Sequence, residues 1–204
     1  ITYRDKSFVH ALQWAIGLEW YLLVDDPWRI AMSTDHPNGG SFLAYPEIIA
    51  LLMDRNRRQE YLQRLPEKLR SSCVLAELSR EYSLSEIAII TRAAPARILG
   101  LTRKGHLGPG ADADITVYST QPDLEAMFRL PRYVYSKGRQ IIDDGEIRAV
   151  TEGDTLLVQP ATNDDAEPVI REWFEKNSTV QFENFAVDAH DVGEQSKVVP
   201  LTQS

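Results

Sequence analysis

Cysteine is nearly absent. Of 204 residues only Cys73 is a cysteine, which excludes an internal disulfide and any paired-thiol zinc ribbon, and fits a reducing compartment. Positive charge is short as well: 22 Lys and Arg stand against 30 Asp and Glu, a formal net charge of -8 with a pI near 5.0. Phosphate backbones and anionic bilayers select for basic faces, so neither nucleic acid nor a membrane surface is an expected partner. Long apolar runs are missing too; none approaches the roughly 20 residues of a spanning helix. No signal peptide is recognisable, and a cytoplasmic location is expected. Histidine is sparse: His10, His36, His106 and His190 are all there are, and no two form a His-x-His pair. The chain opens on Ile1-Thr2-Tyr3 rather than Met, and the expectation is a piece of a longer polypeptide.

What remains is ordinary for a globular protein: 43% hydrophobic and 25% charged residues, enough for one or two small domains. Phe8, Ala11, Leu12, Ala15, Ile16, Leu18, Leu22 and Leu23 recur at helical spacing and predict an amphipathic helix over 8–24, stopped by Asp25-Asp26-Pro27. Trp28 to Thr34, short and bounded by turn residues, reads as a buried strand, and Asp35-His36-Pro37-Asn38-Gly39-Gly40 as a loop. Pro46 suits the first turn of a helix through Ile48, Ile49, Leu52 and Met53. Residues 55–70 read as a solvated helical excursion. Ser83 and Glu86 have capping-box spacing for a helix through Ile87, Ile90 and Ala94, and Pro95 opens a further turn ending at Gly100.

Past Arg103 the character changes. Gly105, Gly108, Pro109 and Gly110 crowd together, and short strands are expected at 115–118, 133–135, 140–142, 146–149 and 156–158. Lys137-Gly138 and Asp144-Gly145 read as hairpin turns. Residues 160–167 read as a linker, 168–176 as a short helix with Trp173 and Phe174, and the tail beyond Gly193 as frayed.

Chemistry concentrates at Thr34-Asp35-His36. A carboxylate at the C-terminal end of a parallel strand can bind a metal ion or take a proton from water, with His36 and Asn38 beside it as hydrogen-bonding groups and Gly39-Gly40 allowing close backbone approach. The same residues also make a good surface turn, and spacing alone leaves both readings open.

Several segments resemble, in order, the A subunits of formylmethanofuran dehydrogenases, a branch of the amidohydrolases. Asp25-x-Pro27-Trp28 followed by Ser33-Thr34-Asp35-His36-Pro37-Asn38-Gly39-Gly40 is similar to their last barrel strand, and Tyr45-Pro46 fits after it. Thr91 to Leu101 resembles the Thr-x-x-x-Pro-Ala helix found across amidohydrolases. Lys104 to Ile115 resembles the start of their C-terminal β domain, and 174–185, with Phe182-Glu183-Asn184-Phe185, the tail found in these dehydrogenase subunits. The resemblance runs over about residues 8–190. It implies an α/β fold plus a small β domain: the C-terminal part of a metal-dependent hydrolase (β/α) barrel over 1–102, part of the flanking β-sandwich over 103–160, and a C-terminal helix and tail over 161–204. It implies that Asp35 is both metal ligand and general base, that His36 and Asn38 bind substrate, and that the parent protein uses binuclear zinc to form or hydrolyse the N-formyl amide of formylmethanofuran, with methanofuran as the carrier. Partners would be the other subunits of a formylmethanofuran dehydrogenase or formyltransferase/hydrolase complex.

The superfamily's His-x-His pair, bridging lysine and further histidines have no counterpart here. Zinc takes about four ligands, so this chain alone is expected to hold incomplete zinc or none and to be inactive. Two alternatives stand beside this reading. One is a non-catalytic assembly module that self-associates through uncovered strand edges and apolar faces. The other is a different amidohydrolase of the dihydroorotase or hydantoinase type. Bland roles are expected elsewhere: His10 on the polar side of its helix, His106 in a structural turn, His190 near the end, Trp14, Trp20 and Trp28 in a core or buried interface, Arg55, Arg57 and Arg58 on a solvated face, and Asp143, Asp144 and Glu146 in a turn.

Overall fold

Ala11, Ala15, Leu18 and Leu22 form one stripe of α1 (Phe8–Leu23), and all four are buried. The structure is a computed structural model that describes residues 7–158, 163–185 and 196–199. The chain divides into two units, 1–151 and 152–204, so the compositional change near residue 103 lies inside the first unit.

In the first unit α1 packs with α2 (Tyr45–Met53), whose Pro46 occupies the first turn as expected and whose Ile48, Ile49, Leu51 and Leu52 are buried. The Asp54 carboxylate accepts the Arg57 N–H and starts α3 (Arg55–Arg64); α4 (Glu67–Arg70) follows past Pro66. This stretch is not a solvated excursion: Tyr61, Leu62, Leu65 and Leu69 belong to the core. Arg58 is fully buried rather than on a solvated face. Its guanidinium donates to the carbonyls of Leu51 (2.6 Å), Leu78 (3.1 Å) and Arg80 (2.9 Å), groups that would otherwise go unpaired in the interior.

The expected capping box is present. Ser83 accepts the Glu86 N–H, and the Glu86 carboxylate accepts the Ser83 N–H, opening α5 (Leu84–Ala88). A π-helical turn over Ile89–Ala93 leads into α6 (Ala94–Ile98). Gly100, at φ 70°, ends the run: its N–H donates to Arg97 and the Leu101 N–H to Ala96, a Schellman closure.

A four-stranded antiparallel sheet follows, ordered β1 (Ile115–Val117), β2 (Tyr133–Ser136), β3 (Arg139–Asp143), β4 (Glu146–Ile147). Lys137-Gly138 and Asp144-Gly145 both carry positive φ at both residues, the type I′ pattern that two-residue hairpins favour. Between β1 and β2 lies α7 (Leu124–Arg129), which packs on α2 and was not expected from the sequence; the Asp123 carboxylate caps it by accepting the Glu125 and Ala126 N–H groups.

The expected strand over 28–34 does not form among the described residues. Asp26 accepts the Trp28 N–H, Pro27 follows it, and Pro27–Arg29 winds into a 3-10 turn. Residues 30–34 have no strand neighbour, and only Met32 among them is buried. Trp20 and Trp28 are exposed; Trp14 alone of the three packs on the core.

The second unit pairs β5 (Thr155–Val158) in parallel with β6 (Ser196–Val199). The tail beyond Gly193 is therefore not wholly frayed, and the 156–158 strand belongs to this sheet instead of the antiparallel one. α8 (Glu167–Asn177) lies between them in sequence, as expected. Its Phe174 meets Phe182 and Phe185 edge-on at 5.6 and 5.0 Å. His190 and residues 160–162 of the expected linker lie outside the described residues.

Candidate functional site

Asp35 sits at a left-handed turn, φ 51°, on the loop that leaves the 30–34 segment. Its N–H donates to Ser33 Oγ (3.1 Å), and its carbonyl accepts the Gly39 N–H (2.8 Å). The loop closes so tightly that a Cβ at Gly39 would lie 2.9 Å from Asp35 Cβ, 3.0 Å from the Thr34 carbonyl and 3.1 Å from Asp35 Oδ2. Glycine is required there by space, since the carboxylate folds over it. His36 packs edge-on against Phe42, ring centroids 4.7 Å apart. Asp35, His36 and Asn38 are all exposed, so the three residues singled out in the sequence share one open loop.

The supports of this loop were not singled out. Tyr45 donates its hydroxyl to the Met32 carbonyl (3.3 Å), and Met32 donates its N–H to the Ile90 carbonyl (2.8 Å). Burial raises the pKa of the Tyr21 hydroxyl, with the neighbouring Ser33 backbone opposing the shift. Tyr82 in turn donates to the Tyr21 carbonyl. Only the Tyr45-Pro46 pair gave a signal in the sequence; Tyr21 reads there as one more aromatic on a helix.

Other expected roles resolve simply. His106 Nε2 lies 2.9 Å from the Thr102 carbonyl and its Nδ1 accepts the Gly108 N–H (3.1 Å), a structural turn as anticipated. His10 is half-buried on α1. Asp144 pairs with Arg132 (3.3 Å), and Asp143 and Glu146 pair with Arg148 at the β3–β4 turn. Lys104 binds Asp112 (3.1 Å) and Asp114 (2.5 Å), while Asp114 also accepts the Lys137 N–H (2.8 Å), stitching the glycine-rich stretch to the sheet. Hydrogen bonds from Arg103 and then Lys104 hold the Asp112 carboxyl below its ordinary range, and those from Lys104 and the Lys137 N–H do the same for Asp114. An open groove of about 480 Å³, lined by Gly17, Trp20, Tyr21, Val24, Arg29, Ile30 and Ala31, does not include Asp35.

A zinc centre does not fit the donors that the described residues supply. No group of three His, Cys, Asp or Glu among the described residues could hold a metal ion, and Asp35 is one carboxylate where about four ligands are needed.

The chain belongs to the Amidohydrolase family, whose model matches residues 1–142. Within it, the chain is 42% identical over 185 residues to the Fhc A component of the formyltransferase/hydrolase complex of Methylorubrum extorquens, and 39% identical over 197 residues to the protein FwdA of Methanocaldococcus jannaschii. Each match takes in 91% of this chain but only 34% and 35% of the relative, so the chain spans about a third of their length. A chain of the FhcABCD complex from Methylorubrum extorquens, solved with methylofuran, superimposes with a TM-score of 0.81 at 38% identity, over 100% of this chain and 38% of that one. No helix among the described residues is long and apolar enough to cross a membrane.

Proposed function

We propose that the chain is the C-terminal portion of a zinc-dependent amidohydrolase subunit, cytoplasmic, that forms or hydrolyses the N-formyl amide of formylmethanofuran in one-carbon metabolism. The observation that carries this reading is 42% identity to the Methylorubrum extorquens Fhc relative over nine-tenths of the chain. In the complete protein, 30–34 would take its place as a barrel strand once strand neighbours flank it, and the antiparallel sheet would be part of the flanking β-sandwich. The binuclear zinc would draw its other ligands from outside this chain.

The chain's own contribution is Asp35. Its carboxylate takes a proton as water attacks the formyl carbon, and returns it to the methanofuran nitrogen as the C–N bond breaks, leaving formate and the free amine. His36 and Asn38, on the same loop, hydrogen-bond the substrate. Partners are the other subunits of such a complex. The chain alone lacks activity because its ligand set is incomplete. Co-expression with the remaining two-thirds of the Fhc relative, followed by assay of formate release from formylmethanofuran, tests this. Release is expected from the complemented enzyme, none from the chain alone, and none after Asp35→Asn. Turnover by the chain alone, or full activity in Asp35→Asn, refutes it.

One observation favours a non-catalytic assembly role in addition. Val9, Ile16, Trp20 and Leu23 share the outward face of α1 and are 61, 44, 67 and 55% exposed. Such a patch suits self-association. Sedimentation of the purified chain decides: a monomer at high concentration removes this reading.

A further inference from the structure

We infer that Pro95 is a positioning residue for the Asp35 loop, acting through the carbonyl of Ile90; this rests on the reading of Asp35 as the acid–base group. Residues 84–98 are one helical run whose register changes in the middle. In the π-helical turn the Ala94 N–H donates to the Ile89 carbonyl, five residues back. The next donor in that register is residue 95, and proline has no N–H. The carbonyl it would have bonded is that of Ile90. In α-helical register Ile90 would instead be matched with the Ala94 N–H, which the turn has already committed to Ile89. Ile90 is therefore left with a free acceptor, and its side chain is wholly buried.

That acceptor is filled by the Met32 N–H at 2.8 Å. Met32 lies three residues before Asp35 in a segment with no sheet neighbour, so this bond does what a ladder bond does in a strand. One further contact completes the grip: the Met32 carbonyl accepts from the Tyr45 hydroxyl at 3.3 Å. α2 and the π turn thus hold both backbone groups of Met32, which leaves Asp35 little freedom at the mouth of its loop. Thr91, whose hydroxyl donates to the Ile87 carbonyl at 2.6 Å, reinforces the irregular turn, since such back-bonding bends helices.

Nuclear magnetic resonance on the whole chain tests this without metal or substrate. In the unaltered protein a scalar coupling across the hydrogen bond between Met32 nitrogen and the Ile90 carbonyl carbon is expected; its absence overturns the proposal even if no variant folds. Pro95→Ala supplies the missing donor, so the Ile90 carbonyl gains a helical partner. The Met32 amide should then exchange at least about tenfold faster while the Leu18 and Leu51 amides keep their rates, and the Asp35 and Gly39 amide signals should shift. An unchanged Met32 rate, or acceleration equal to that of the core, refutes positioning by Pro95. Tyr45→Phe should shift the same Asp35 and Gly39 signals without touching the helix. If these results hold and Asp35→Asn stays active in the complemented enzyme, the loop is positioned but its catalytic reading fails.

Discussion

Arg58 and Asp35 occupy opposite situations in one unit, and both depend on backbone groups far away in sequence. Arg58 is a charge fully buried, its two terminal nitrogens donating to the carbonyls of Leu51 near the end of α2 and of Leu78 and Arg80 in an irregular segment. Burial lowers its pKa, with Glu81 opposing the shift, and the guanidinium remains charged. Asp35 is a charge fully presented, its backbone clamped while its carboxylate stays open to solvent. The first arrangement holds the core together; the second leaves a side chain available for chemistry. A buried ion that satisfies carbonyls is hard to remove, whereas an exposed one is energetically idle and free to serve a reaction.

The largest effect should follow from Arg58→Ala, which leaves the carbonyls of Leu51, Leu78 and Arg80 unpaired beside a cavity. A loss of about 3 kcal/mol or more in urea unfolding is expected, and a loss under roughly 1 kcal/mol would break the comparison. Gly105→Ala comes next. The residue has φ 78°, and a Cβ would lie 2.7 Å from Ala96 Cβ and 2.8 Å from the Arg92 carbonyl. About 2 kcal/mol of destabilisation is expected, read the same way. Gly39→Ala should sharpen the contrast: it displaces the Asp35 carboxylate, so activity of the complemented enzyme should fall at least about tenfold, while the unfolding midpoint moves little on so exposed a loop.

The smallest effect concerns pH. Hydrogen bonds from the Ser83 backbone, then from Arg80 and the Ser83 hydroxyl, hold the Glu86 carboxyl below its ordinary value against some desolvation. A lowered folded pKa contributes stability above the unfolded value and loses it as pH falls through the folded one. Glu86→Gln should therefore cost under about 1 kcal/mol at neutral pH and nothing in strong acid. Urea midpoints measured down through the carboxylate range check this; equal loss at every pH would contradict it.

Local signals were legible wherever the cause is local. The capping box at Ser83 and Glu86, the Gly100 stop and the paired positive-φ turns at Lys137-Gly138 and Asp144-Gly145 all follow from residue type at fixed offsets. The helix α7 was within reach, with Asp123 as cap and Leu124, Met127 and Phe128 at helical spacing, but its brevity between strands hid it. Arg58 could not be read, because its carbonyls come from residues up to 22 positions away. The parallel pairing of Thr155–Val158 with Ser196–Val199 is equally non-local.

The candidate site divides along the same line. The sequence by itself placed Asp35, His36 and Asn38 on one loop and set Gly39-Gly40 after them, where the backbone can approach closely. Tertiary structure alone decided that Met32, within 30–34, is held by Tyr45 and the Ile90 carbonyl, with no strand neighbour among the described residues. The reason is physical: backbone donors and acceptors must be satisfied, but which partner satisfies them depends on what the fold brings within 3 Å or so, and residue order does not encode that distance.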